Sequence, residues 1–305
     1  MPWEGSSIVL DDALVAAQRG RAVIILGAGF SRDAKCGLDQ ALPTGSELAS
    51  ELLAELGSAE VLDYGLAADL YARSLGEDRL REFLGRRLTV TEATAAQISI
   101  CAAPWRRIYT TNFDNVAEVA RHAAGMKALS VTPREDPAKL PRQNPWCVQL
   151  HGYLAETSAP ARPFPLILTR TSYIDPVLQR TPWPTQMQLD IEAADAVFVL
   201  EYSISDFHIA RLLRTGPNSV RKTHIIFETA PSQALSGYVS QFGQVSPIGL
   251  DDFAARLASA ATEVPVDEPE PTLVCFEEVA FPSTTTRPTT DDRVDGRFVV
   301  SWHGR

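Results

Sequence analysis

Cysteine is the first scarcity in this sequence. Its four cysteines, Cys36, Cys101, Cys147 and Cys275, stand far apart and no two form C-x-x-C. That excludes a zinc ribbon and a disulfide framework, and leaves ordinary buried thiols in a reducing compartment. Long apolar runs are absent too: no stretch approaches the roughly 20 residues that span a bilayer. The N-terminal MPWEGSSIVLDD has neither the basic region nor the cleavage site of a secretory signal. The expectation is therefore a cytoplasmic chain with no membrane partner. Net basic charge is missing as well. At −10 overall, the chain is not expected to bind nucleic acid directly. Finally, no G-x-x-x-x-G-K-[ST] occurs, which excludes a P-loop.

What is present is a regular alternation. A helix over Ser7–Gln18 precedes the β-branched run Ala22–Leu26, which ends in Gly27-Ala28-Gly29. Thr44, with Glu47 three residues on, has capping-box spacing for a helix running to about Gly57. Two further Leu- and Ala-rich helical stretches follow within Ala59–Leu88, broken at Gly76. Strands are predicted at Arg107–Thr111, Ala128–Thr132, Trp146–Leu150, Phe164–Thr169, Ala196–Leu200, Thr223–Phe227 and Gln244–Ile248. Helices are predicted at Asn115–Ala124, Thr171–Arg180, Gln186–Ala194, Phe207–Leu213 (capped by Asp206) and Asp251–Ala261. Short buried strands alternating with helices give an α/β fold with a doubly wound, mostly parallel sheet. The expected division is a domain over 1–262, with a helical insertion at about 44–103, and an acidic, Pro- and Thr-rich tail over 263–305 that links to or binds a partner.

Chemistry-bearing residues recur at one edge of that sheet, outside the carboxyl ends of the strands, where open α/β sheets bind ligands. They are Gly27-Ala28-Gly29-Phe30-Ser31, Thr111-Asn112-Phe113-Asp114, His151-Gly152, Glu201-Tyr202-Ser203 and Phe227-Glu228. Singly, each has a plainer reading. Asn112 or Asp114 is equally a helix cap, Phe30 reads as a core residue ahead of a shield for the reaction centre, and the glycine turn is equally a strand-to-helix connection. Their common placement is what those readings leave unexplained. A dehydrogenase fits poorly, because Arg32 replaces the third glycine of G-x-G-x-x-G and helix occupies the interval where a second-strand acid belongs.

Taken together, GAGFS, TTNFD, LHG and EYSISD resemble the sirtuin-like (silent information regulator type) domains of bacterial antiphage NAD-degrading effectors, over about Arg21 to Ile248. The resemblance implies a Rossmann-like NAD-binding fold and hydrolysis of NAD to nicotinamide and ADP-ribose. It further implies that Gly27, Ala28, Gly29 and Ser31 hold the pyrophosphate and adjoining ribose. Asn112 would orient the nicotinamide ribose and the attacking water, and Asp114 would fix the nicotinamide end. His151 would polarise a ribose hydroxyl or act as base, and Ser203 and Phe227 would complete the dinucleotide contacts. The chemistry fits on its own terms: an oxocarbenium-like transition state needs a placed acceptor and a base.

Two departures from the family bear on activity. The four-cysteine zinc module and the Ile-Pro-Asp-Phe-Arg-like segment of deacylating sirtuins are both missing, so no zinc is expected and protein deacylation is disfavoured. Glu201 stands where the family has glycine, setting a carboxylate beside the expected pyrophosphate. The alternatives are an NAD-dependent deacylase and a non-catalytic sensor of NAD or ADP-ribose. The family also implies control by a homo-oligomeric assembly or a sensing partner protein.

Overall fold

The computed structural model describes residues 7–127, 130–140, 146–154, 166–174, 180–214 and 216–263. Helix α1 (Leu10–Gln18) precedes β1 (Ala22–Leu26), and α2 (Ala28–Ser31) follows it at once. An excursion then runs through β2 (Lys35–Cys36), α3 (Gly45–Glu55), α4 (Tyr64–Leu75), α5 (Glu77–Leu88) and β3 (Val90–Glu92). Antiparallel pairing of β2 with β3 closes it. Next come α6 (Ala95–Ala102), β4 (Arg107–Thr110), α7 (Val116–Ala123), β5 (Ser130–Val131) and β6 (Cys147–Gln149). Helices α8 (Arg170–Ile174) and α9 (Trp183–Ala193) lead to β7 (Ala196–Leu200), α10 (Phe207–Leu213), α11 (Pro217–Arg221) and β8 (Thr223–Ile226). The chain continues through α12 (Gln233–Val239), β9 (Gln244–Ser246) and α13 (Gly249–Ala260).

Seven strands form one sheet in the order β5-β6-β4-β1-β7-β8-β9, and every pairing is parallel. From β1 the chain steps one way to β4, β5 and β6, then crosses back to β7 and continues the other way. The switch point lies between β4, β1 and β7, and a crevice opens at their carboxyl ends. β1 and β7 are buried along their whole length. Their side chains alternate between two cores, as a period of two requires. Ile24, Leu26, Phe198 and Leu200 face α1, α6, α7 and α13. Val23, Ile25, Val197 and Val199 face α9 and α10, where Trp183 is fully enclosed. Each large side chain so buried stabilises by about 1.5–3 kcal/mol. The sheet therefore has helices on both faces, which is the doubly wound α/β architecture.

The capping box at Thr44 is present. Thr44 Oγ1 accepts from the Glu47 amide at 3.3 Å and the Glu47 carboxylate accepts from the Thr44 amide at 2.7 Å. One expectation needs correcting. Leu166–Thr169 is not a strand of the sheet: its backbone instead bonds the end of β6, with the Ile167 amide donating to the His151 carbonyl at 2.9 Å. Phe30 is fully buried in the core, in line with its core reading. β2, β3, α11 and α12 were not foreseen, while α6 falls within the expected helical insertion. Cys275, the tail from 264 onward and the β-like runs at 273–276 and 297–302 lie outside the described residues.

Candidate functional site

β1, β4, β6 and β7 end together on a cavity of about 760 Å³, a size ordinary for small-molecule sites. Ala28, Gly29, Ser31, Asn112, Asp114, His151, Ser203 and Phe227 all line it. Gly27 is not among the lining residues; its carbonyl accepts from Asn112 Nδ2 at 2.8 Å.

The glycines answer first to packing. A Cβ on Gly27 would stand 2.5 Å from Tyr202 Cα, and one on Gly29 would stand 2.7 Å from Glu201 Oε2. Two amides of the turn are already used within the fold: Gly27 donates to the Leu200 carbonyl at 2.9 Å and Gly29 to the Glu201 carbonyl at 3.3 Å. The turn thus locks β1 to the end of β7 as well as walling the cavity.

Asn112 is held rigidly. Besides the Gly27 carbonyl, Nδ2 donates to Ser31 Oγ at 3.0 Å, and the Asn112 amide donates to Thr110 Oγ1 at 3.0 Å. Both amide hydrogens are occupied, so Oδ1 is the atom left to accept a hydrogen bond from a ligand. Ser31 is 2% exposed and bonds Asn112 and Asp114 in series, which makes it a connector. Asp114, one residue before the N-cap Asn115, accepts from the Val116 amide at 3.0 Å at the start of α7 and also lines the cavity. Burial pushes its carboxyl up to about 6, against the opposing pull of the Val116 amide and the Ser31 hydroxyl.

His151, 3% exposed, bonds through Nε2 to Asp206 Oδ2 at 2.8 Å, with the Phe113 ring 6.2 Å away. Asp206 Oδ1 meanwhile accepts from the His208 and Ile209 amides at 2.7 and 3.3 Å, capping α10. Burial raises the Asp206 carboxyl, but the bond and charge of His151 and the two amides outweigh it, so the carboxyl stays below its ordinary range. The sequence reading treated Asp206 only as a cap. Its place in EYSISD, just beyond a strand end on the ligand edge, was the available signal.

Glu201 has a left-handed backbone, φ 51°. A glycine takes that conformation freely, whereas a residue with a Cβ is strained there. Its side chain folds over Gly29, and its carboxylate accepts from the Glu228 amide. Burial raises the Glu201 carboxyl above its usual value. Ser203 is exposed on the rim, and Phe227 is buried with its amide bonded to the Ser246 carbonyl at 3.2 Å.

The excursion between β1 and β4 supplies the opposite wall, through Leu42, Leu48, Asp63 and Tyr64. Arg170, at the start of α8, is the cavity's one guanidinium among the described residues and pairs with Asp63 at 2.6 Å. Sequence reasoning missed both residues, since only the fold brings positions 107 apart together. Among the described residues no group of three or more His, Cys, Asp or Glu side chains is placed to hold a metal ion. Nor is any described helix long and apolar enough to cross a membrane.

Residues 106–242 match the family model of the SIR2-like domain, a stretch that holds Asn112, Asp114, His151, Glu201 and Asp206. No curated protein matches the chain. Solved structures do, among them one presented as "Structural Basis for the Mechanism and Regulation of Sir2 Enzymes". It is 13% identical with a TM-score of 0.47, and the alignment covers 83% of this chain and 98% of that one. Over residues 106–242, then, the chain is similar to the SIR2-like domain.

Proposed function

We propose that this chain is an NAD glycohydrolase, cleaving NAD to nicotinamide and ADP-ribose in the cavity at the carboxyl edge of the sheet. The observation that carries the reading is the pair of buried groups lining one cavity: Asn112, its NH2 fixed so that an acceptor oxygen remains, and His151, bonded to a carboxylate. The match of residues 106–242 to the SIR2-like domain supports NAD as the ligand.

In this reading the bond that breaks joins C1′ of the ribose to the nicotinamide nitrogen. Its electron pair leaves on that nitrogen and neutralises the pyridinium ring. A water attacks the oxocarbenium-like C1′ from the other face. Asn112 Oδ1 accepts a hydrogen bond from that water, and His151 takes its proton. Asp114 flanks the nicotinamide end, where its carboxylate favours the cationic ring of the substrate. Ala28 and Gly29 wall the diphosphate, with Ser203 and Phe227 completing the contacts, and Arg170 is the cation within the cavity able to answer the diphosphate charge. Ser31 acts through Asn112 and Asp114.

The sequence resemblance supports an antiphage role in the cytoplasm, by NAD depletion under the control of an assembly or a sensing partner. In that account residues 1–262 are the catalytic domain and 263–305 the connection to the partner. Glu201 favours a second reading, a non-catalytic sensor of NAD or ADP-ribose, because its carboxylate lies over the glycine turn.

The chain in its native assembly, incubated with NAD with and without an acyl-lysine peptide, separates these readings. The hydrolase releases nicotinamide and ADP-ribose equally in both. Release that requires the peptide indicates a deacylase, and ligand binding without release indicates a sensor.

A further inference from the structure

We propose that Asp206 is a positioning residue that sets the tautomer and orientation of His151; this rests on the hydrolase reading above. The two oxygens of its carboxylate have separate work. Oδ1 caps α10 through the His208 and Ile209 amides, and Oδ2 meets His151 Nε2 at 2.8 Å. Both side chains are almost wholly withdrawn from water, at 4% and 3% exposure, so the bond is not exchanged for solvent.

An ionised carboxylate only accepts hydrogen bonds, so Nε2 must carry the proton and donate it. The neutral imidazole then has Nδ1 as its basic nitrogen. A base whose far nitrogen is held by a third group is the arrangement that makes proton abstraction directional. The carboxylate also stabilises the imidazolium that forms when His151 takes the proton from water. The helix cap explains why the aspartate stays fixed: α10 positions the carboxylate and the carboxylate positions the ring.

A purely structural cap is the competing account, and Oδ1 makes the two separable. Asp206→Ser keeps a capping oxygen but is too short to hold His151. Asp206→Asn keeps Oδ1 and sets an NH2 donor against Nε2, forcing the proton onto Nδ1. Both variants are expected to melt within a few degrees of the parent and to bind NAD with little change in KM. For each, kcat is expected to fall at least tenfold, and the acid limb of the kcat–pH profile to move to lower pH. Asp63, Tyr64, Asp114, Arg170, Glu201 and Tyr202 are the other titratable groups on the cavity, and their contribution to the profile is unchanged in these variants. Parental kcat and an unmoved profile in both would overturn the proposal and leave Asp206 as a cap alone.

A second measurement does not depend on turnover. In the intact chain, 15N spectra of the imidazoles are expected to give His151 as the Nε2-protonated tautomer, shifting to Nδ1-protonated in Asp206→Asn. A parent already protonated on Nδ1 would overturn the proposal even if the chain hydrolyses NAD. Inactivity of the parent toward NAD would instead defeat the hydrolase reading, with the tautomer result standing apart from it.

Discussion

Two buried aspartates at opposite edges of the same sheet make a useful contrast. Asp190, on α9 at the amino edge, is bonded by Arg107 Nε at 3.0 Å, Tyr109 Oη at 2.7 Å and Gln186 Nε2 at 3.1 Å. Arg106 stands a further 3.5 Å away. Asp206, at the carboxyl edge, has no guanidinium or ammonium partner among the described residues, only two amides and an imidazole. Both are more than nine-tenths buried. The first is a charge fixed by permanent cations, and its network holds β4 to α9. The second is paired with an imidazole, whose two ring nitrogens can each hold or release a proton. Burial alone does not distinguish a strut from a site. The chemistry of the partner does.

Breaking each cluster should therefore produce different losses. His151→Ala is expected to lower kcat by about 10²–10⁴-fold, the usual span for a general base, while thermal unfolding shows a fold still intact. Asp190→Ala should do the reverse. It leaves Arg107 without its carboxylate, so urea unfolding should register a loss of about 3–5 kcal/mol, with kcat of the folded fraction near parental. Equal effects on kcat from both variants would dissolve the contrast.

Acid tests a third buried group. Both ring nitrogens of His224 lack a hydrogen-bond partner among the described residues, and burial pulls its pKa down from 6.5 to about 4. Between those values the unfolded chain binds a proton that the folded chain does not. Stability is thus complete above pH 6.5 and falls by about 3 kcal/mol as pH drops toward 4. His224→Phe, packed against Phe198 as the imidazole is, should flatten that slope in urea titrations taken at pH 7 and pH 4.5. An unchanged slope would mean that another group is responsible. Asp114 works with the opposite sign. Its carboxyl is raised to about 6, so the folded chain holds that proton more tightly and gains stability as pH falls through 6.

The smallest effect is expected at Glu201. Glu201→Gly relieves a left-handed side-chain conformation and withdraws a carboxylate from Gly29. Calorimetric titration with ADP-ribose should give about tenfold tighter binding, roughly 1.4 kcal/mol, with folding stability within about 1 kcal/mol of the parent. Weaker binding would place Glu201 among the groups that hold the ligand.

The sheet was legible because its central strands are five-residue apolar runs ending in glycine or acid, and such runs read as buried parallel strands at either face. The common edge of Asn112, Asp114, His151 and Ser203 followed from the alternation alone. Leu166–Thr169 misled because an apolar run signals burial, and burial beside β6 needs no ladder. β2 and β3 were hidden by their brevity, two and three residues. The Asp206–His151 and Arg170–Asp63 pairs were hidden by sequence separation, since nothing local in the chain records a contact made across the fold.

The central claim is that the carboxyl-edge cavity cleaves NAD, and Asn112 tests it most directly because its Nδ2 is tied to Gly27 and Ser31 and its Oδ1 has no partner among the described residues. The measurement is nicotinamide release from NAD by the chain in its native assembly, for the parent and for Asn112→Ala at equal folded concentration. The account predicts sustained release by the parent and at least a hundredfold slower release by the variant. Equal rates in the two would contradict it.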